Sequence, residues 1–235
     1  MNPKPEVYVT IRDKIFRGDI KPGTHLVERH LAELLHVSRV PVREALQRLV
    51  LERVLVYEPG KGLVTRSYDE QEVLDLYLYR EPLEGMAARL FAQRADEVEV
   101  RLLDQLYAGM AAQVENNNVG ALHQNDFEFH RAIARGSRSP RIIEELSDIY
   151  DECIYVTKTS FSPLTGNMNS EEIASMRTEL LAEHRRILDA VGRRSGSDAE
   201  EAARASVRAG VERFMYRFTN DRLKGLEIAT PPVEK

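Results

Sequence analysis

Apolar residues recur along most of the chain at intervals of three and four, which puts side chains on one face of an α-helix; a single stretch departs from that spacing. Val7, Ile11 and Ile15 predict a first helix over 6–17, with Gly18 able to take the left-handed conformation that ends it. Leu31, Leu34 and Leu35 predict a short second helix beginning near Val27, and Val42, Leu46, Leu49 and Val50 predict a third. The connection between them is His36-Val37-Ser38, in which Ser38 suits an N-cap, while Pro41 fits only the first helical turn. The period then changes. Val54-Leu55-Val56-Tyr57 and Leu63-Val64-Thr65 are β-prone runs around Glu58-Pro59-Gly60-Lys61-Gly62, which reads as a hairpin with a glycine-rich tip.

From Ser67 onward the helical pattern returns. One helix should run from Tyr68 to about Ala95, opened by Ser67 with Glu70 at capping-box spacing and bent or split at Pro82. Asp96 with Glu99 opens the next, which ends at Asn116-Asn117-Asn118. Further helices are expected over about 120–135, from Ser139-Pro140, from a Ser170 cap, and from Ser197 with Glu200 to near Leu223. FSPLTGNMN at 161–169 reads as a loop and 229–235 as a frayed tail. The fold class expected is mainly α: a winged helix-turn-helix over residues 1–66, then an all-helical bundle of six or seven helices over 67–228.

Composition bounds the function. The 43% hydrophobic and 30% charged content fits a soluble globular protein, no run is long enough to span a bilayer, and MNPKPEVYVT lacks a secretory pattern. The lone Cys153 excludes an intrachain disulfide and fits a reducing, cytoplasmic setting. Net charge is -5, which by itself argues against a nucleic-acid partner, yet its distribution is uneven. Residues 1–66 hold 12 Lys+Arg against 8 Asp+Glu, net +4, leaving 21 against 30, net -9, for the remainder. A basic DNA-contacting head on an acidic body would show that asymmetry. The third helix carries Arg39, Arg43, Gln47 and Arg48 on its outer side, and Lys61 with Gly60 forms a tip slim enough to approach phosphates or the minor groove. The competing reading is an ordinary helical hairpin with a solvated basic face and a β-turn without a partner.

The body offers two candidate chemistries. Asp126 and His130 stand one helical turn apart, so both can reach one divalent ion, with His184 from another helix as a third ligand. Against this stands a surface hydrogen-bonded pair and a satisfied core histidine. Arg80, on a helix rich in core residues, can hold a carboxylate bidentately, or simply pair with Glu84 at i,i+4. No HExxH, Walker A loop, Rossmann turn or nucleophile elbow occurs, so an enzyme is not expected.

The stretch from Ile15 to Val64 resembles the winged head of the GntR family of bacterial transcription regulators. It carries GDIKPG at Gly18–Gly23, LVERHLAELL from Leu26, VSRVPVREALQRL from Val37 and the GKGLV wing ending at Val64. The remainder resembles the helical FCD ligand-sensing domain of the FadR-like branch, through REPLE from Arg80, DFEFH from Asp126 and EHRRILDA from Glu183. The resemblance implies a repressor or activator that binds a palindromic operator as a homodimer and responds to a small organic acid. It further implies DNA contacts by Arg29, Ser38, Arg39, Arg43 and the tip at Gly60 and Lys61, an effector contact by Arg80, and a divalent metal (zinc, nickel or manganese) on Asp126, His130 and His184. The family's further histidine on the last helix falls at Gly210 here, so the ligand set is incomplete. The alternatives are a metal-dependent hydrolase or lyase acting on a small carboxylate, and a constitutive DNA-binding dimer with no effector.

Overall fold

The computed structural model describes residues 3–159 and 169–227, so the expected loop, apart from Asn169, and the tail at 229–235 lie outside the described residues. The described elements are helices α1 (Pro3–Phe16), α2 (Glu28–Leu34) and α3 (Arg39–Leu51), strands β1 (Leu55–Glu58) and β2 (Gly62–Thr65), and helices α4 (Glu70–Arg94), α5 (Glu97–Glu115), α6 (Val119–Gly136), α7 (Pro140–Thr159), α8 (Ser170–Gly192) and α9 (Gly196–Glu227). The expected mainly α architecture is therefore present, with three helices and a hairpin followed by six helices. Among the described residues no helix is long and apolar enough to cross a membrane.

The chain divides into two compact units. One holds the residues up to Val73 together with the segment that begins at Asp148; the other holds Leu74–Ser147 with α8 and α9. In the first unit, Val7, Ile11 and Ile15 of α1 meet Val42, Leu46 and Leu49 of α3, all buried. Leu34 departs from expectation and is 56% exposed. α2 has only seven residues, and Leu31 with Ala32 sets its inward face, from which Leu34 is turned away at 100° per residue. β1 and β2 pair antiparallel, Leu55 opposite Thr65 and Glu58 opposite Gly62, and Gly60 takes a φ of 79° at the tip. The other edge of β2 is covered by the approach to α2, where the Leu26 amide donates to the Leu63 carbonyl at 2.8 Å.

The end of α7 also belongs to this core. Tyr155 is buried, stands edge-on to Phe16 with centroids 5.7 Å apart, and donates its hydroxyl to the Arg66 carbonyl at 2.5 Å. One turn earlier the buried Glu152 accepts from Arg53 at 2.5 Å and from the Tyr68 hydroxyl at 2.7 Å. Nothing in the apolar periodicity of α7 had marked either residue.

Two helix caps differ from expectation. α4 is capped by Asp69 with Glu72, not by Ser67 with Glu70: the Glu72 amide donates to Asp69 Oδ1 and the Asp69 amide to Glu72 Oε2. The two boxes overlap in sequence, and a charged acceptor gains from the positive end of the helix dipole. α8 is capped by Asn169 with Glu172 instead of Ser170, while α5 is capped by Asp96 with Glu99 as expected. Pro82 lies inside an unbroken α4; its ring is on the exposed side, where water can take up the carbonyl it leaves unbonded.

Because Tyr155 fills the first unit's core, Tyr155→Phe should lower stability by about 1 kcal/mol through the lost hydrogen bond. Tyr155→Ala should lower it by about 3–5 kcal/mol. Urea unfolding followed by circular dichroism reads both.

Candidate nucleic-acid interface and metal centre

The basic side of α3 is exposed as the sequence implies. Ser38 precedes α3 as its N-cap residue, yet its hydroxyl makes no capping hydrogen bond. Arg39 and Arg43, one turn apart, both reach the carboxylate of Glu28 at the start of α2. Arg43 Nε and Nη2 each lie 3.0 Å from a Glu28 oxygen, and Arg39 Nη2 is 3.4 Å away. Hydrogen bonding from Arg43 holds the Glu28 carboxyl below its ordinary value, so it is charged at neutral pH. Arg29 stands on exposed α2 beside Glu33 at 3.6 Å, and Lys61 at the hairpin tip pairs with Glu58 at 2.7 Å. Arg48 is turned toward Glu52 and the ring of Tyr8.

In the second unit the structure brings Asp126, His130 and His184 together. α6 presents the first two one turn apart, and α8 delivers the third, which is 1% exposed. The two Nε2 atoms are 3.1 Å apart; Asp126 Oδ1 is 2.8 Å from His184 Nε2 and 3.7 Å from His130 Nε2. Ligands about 2.0–2.2 Å from a tetrahedral ion stand roughly 3.3 Å from one another, close to these separations.

The surrounding atoms decide which ring nitrogens carry protons. His184 Nδ1 lies 2.7 Å from the Leu180 carbonyl, so its proton sits on Nδ1 and its Nε2 presents a lone pair. His130 Nδ1 lies 2.9 Å from Glu84 Oε2, a contact that likewise favours a proton on Nδ1 and a lone pair at Nε2. Glu84 is in turn held by Arg80 through Nε. Asp126 Oδ1 is buried and, despite its closeness to His184, is aligned for no hydrogen bond. Three atoms that can each offer a lone pair thus converge on one point, where a proton on His184 or a metal cation can sit among them. The residues present therefore fit a divalent metal.

The electrostatics agree. Burial pushes the Glu84 carboxyl up, but Arg80 and His130 outweigh it and bring it down to about 2. Burial likewise opposes the charge on Asp126, yet His184, His130 and Arg80 hold it well below the usual carboxylate range. Burial alone would lower His184; the Asp126 carboxylate 2.8 Å from Nε2, with the Leu180 carbonyl at Nδ1, raises it above the ordinary imidazole value.

Arg80 is buried, with Tyr77 and Phe127 beside its guanidinium, and pairs with Glu84 one turn on, the simpler of its two sequence readings. At Gly210 an added Cβ would stand 3.3 Å from the Tyr77 ring, so an aromatic side chain covers the position where the family's histidine would project. The sequence reading named neither Glu28 nor, as a partner of His130, Glu84. The signal for Glu84 was its i,i+4 spacing from Arg80; Glu28 had none, because its partners come from the next helix.

The pKa shifts set a pH dependence for chelator-treated protein. Glu84 and Asp126 are depressed, so their stabilisation is present above their unfolded values near 4 and is lost as pH falls toward about 2. His184 is raised, so its contribution is complete below its unfolded value of about 6.5 and is lost as pH rises through the higher folded one. Urea unfolding across pH should show losses on both sides, and a saturating divalent metal, taking the proton's place, should flatten the alkaline one.

Comparison with known proteins identifies the setting of both sites. Residues 3–64 match the bacterial regulatory proteins of the gntR family, and residues 75–209 match the FCD domain. The chain is 27% identical over 200 residues to an uncharacterized HTH-type transcriptional regulator, YdhC of Bacillus subtilis (strain 168), covering 83% of this chain and 84% of that protein. It is 34% identical over 131 residues to the Nta operon transcriptional regulator of Aminobacter aminovorans, covering 55% and 61% respectively. In fold it is similar to E. coli McbR/YncC, with a TM-score of 0.71 at 20% identity over 94% of this chain and 100% of that one. A putative transcriptional regulator GntR from Rhodococcus sp. RHA1 gives a TM-score of 0.63 at 22% identity, over 98% and 100%. With both parts matched, and the FCD match alone spanning more than half of its length, the chain belongs to the GntR family of bacterial regulatory proteins that carry an FCD domain, and is a transcription regulator and not an enzyme.

Proposed function

We propose that this regulator is of the FadR-like branch and binds a palindromic operator as a homodimer, its affinity controlled by a small organic acid held at a divalent metal in the helical domain. The observation that carries the reading is the convergence of Asp126 Oδ1, His130 Nε2 and His184 Nε2 on one buried point. Residues 1–66 act as the DNA-binding domain and 67–228 as the effector-binding and dimerisation domain. Arg29, Ser38, Arg39 and Arg43 meet the duplex from α2 and the start of α3, and Gly60 with Lys61 meets it from the hairpin tip. Arginine at the start of a recognition helix suits guanine O6/N7 or phosphate.

Zinc, nickel or manganese fits the mixed imidazole and carboxylate set, and supplies a Lewis-acidic position for an anionic ligand. Asp126, His130 and His184 would hold the ion, which would supply positive charge for an effector carboxylate. The nearby Arg80 contributes positive charge on the same side, shared with Glu84. The effector shifts operator affinity only insofar as it binds one arrangement of the two recognition helices better than the other; those helices must reach half-sites roughly 34 Å apart. The hydrolase or lyase alternative falls with the family assignment.

Selection of duplexes from a random pool by the full-length protein, at fixed salt, should enrich a palindrome with half-sites one helical turn apart. Adding members of a carboxylic-acid panel should change affinity for that duplex by roughly 5–150-fold. A palindrome with no response to any acid, with or without metal, would leave a constitutive DNA-binding dimer instead. Gly210→His should increase bound metal by elemental analysis, provided Tyr77, 3.3 Å from the new Cβ, swings aside for the imidazole; no gain removes position 210 from the site.

A further inference from the structure

We propose that Glu28 is a specificity-determining residue: by holding Arg43 and Arg39 it reserves them for base edges and keeps them from serving as general phosphate ligands. The inference rests on the reading that α3 enters the major groove.

Each candidate cation on this side of the head has a carboxylate close by: Arg29 has Glu33, Lys61 has Glu58, and both Arg39 and Arg43 have Glu28. The first two pairs are local, one helical turn and one hairpin tip. Glu28 is different because it lies on α2, serves two arginines of α3, and grips Arg43 along its Nε and Nη2 edge at 3.0 Å on each nitrogen. The residue is also less exposed than either arginine, its side chain at 30% against 60% for Arg39 and 53% for Arg43.

That geometry treats the two classes of DNA acceptor differently. A phosphate drawn to these guanidiniums would come up against a carboxylate of the same sign, and the two repel more as the closing interface sheds water. Guanine O6 and N7 are neutral acceptors and meet no such opposition. Arginine also loses less side-chain freedom on contact when a neighbour already fixes its plane. Glu28 therefore weakens indiscriminate attraction to any duplex while leaving the outward edge of Arg43 aimed for bidentate readout.

The test uses the full-length protein, the duplex it selects from a random pool, and a random-sequence duplex of equal length, across a salt series. Glu28→Gln should tighten binding to the random duplex by about 3–10-fold at low salt and steepen the salt slope by about 1. The preference for the selected duplex should fall by about 10-fold. Glu28→Asp should recover at least part of that preference. A Glu28 that merely fastens α2 to α3 would instead lower the thermal midpoint and weaken both duplexes in parallel, which overturns the proposal. Arg43→Ala separates the two layers of the argument. If it leaves affinity for the selected duplex unchanged, the placement of α3 on DNA fails and Glu28's role fails with it. If it loses affinity while Glu28→Gln keeps the preference intact, only the role of Glu28 is overturned.

Discussion

Two imidazoles and a carboxylate cannot point their lone pairs at one another in a dry interior unless positive charge lies among them. That constraint organises the helical domain. The Leu180 carbonyl lies at the outer nitrogen of His184 and the Glu84 carboxylate at that of His130, so both outer nitrogens face oxygen acceptors. Arg80 then neutralises Glu84, and the chain of partners runs from α4 through α6 to α8. Uncompensated, each of these groups would be an expensive inclusion; together they form a socket that can hold a cation.

Charge is handled in the opposite way on the head. There Arg29, Arg39, Arg43 and Lys61 are exposed and each has an acidic neighbour, so a net charge of +4 over residues 1–66 overstates how freely these cations attract a polyanion. A regulator in a cell must find a few sites among a great excess of similar DNA, and undiscriminating grip works against that search. On the proposed reading, the internal ion pairs moderate the grip while leaving the arginine donors available to bases.

Much of this was legible in the residues, for a physical reason. Helical periodicity is imposed by a core, so α1, α3 and the helices beyond Ser67 announced themselves, and the change of period at Val54 announced the hairpin. The i,i+4 pair Asp126 and His130 was visible because both lie on one helix. What the sequence could not show was contact between elements: Glu28 with α3, Glu84 with His130, Tyr77 over Gly210. Leu34 misled because a helix of seven residues has too few turns to define a face by pattern alone. The caps at Asp69 and Asn169 were missed where two capping boxes, or two good capping residues, overlap within a few positions.

Tyr155 and Glu152 carry a consequence for modularity. Heads of this kind end, on the sequence, near residue 66, and that is where a chimaera would naturally be cut. Such a graft would carry away Phe16, Arg53 and the Arg66 carbonyl while abandoning the tyrosine and the glutamate that complete them some ninety residues later. Exchanging sensing halves between regulators thus means matching the last turns of α7 to the incoming head; recombination confined to the obvious seam would be selected against by folding alone.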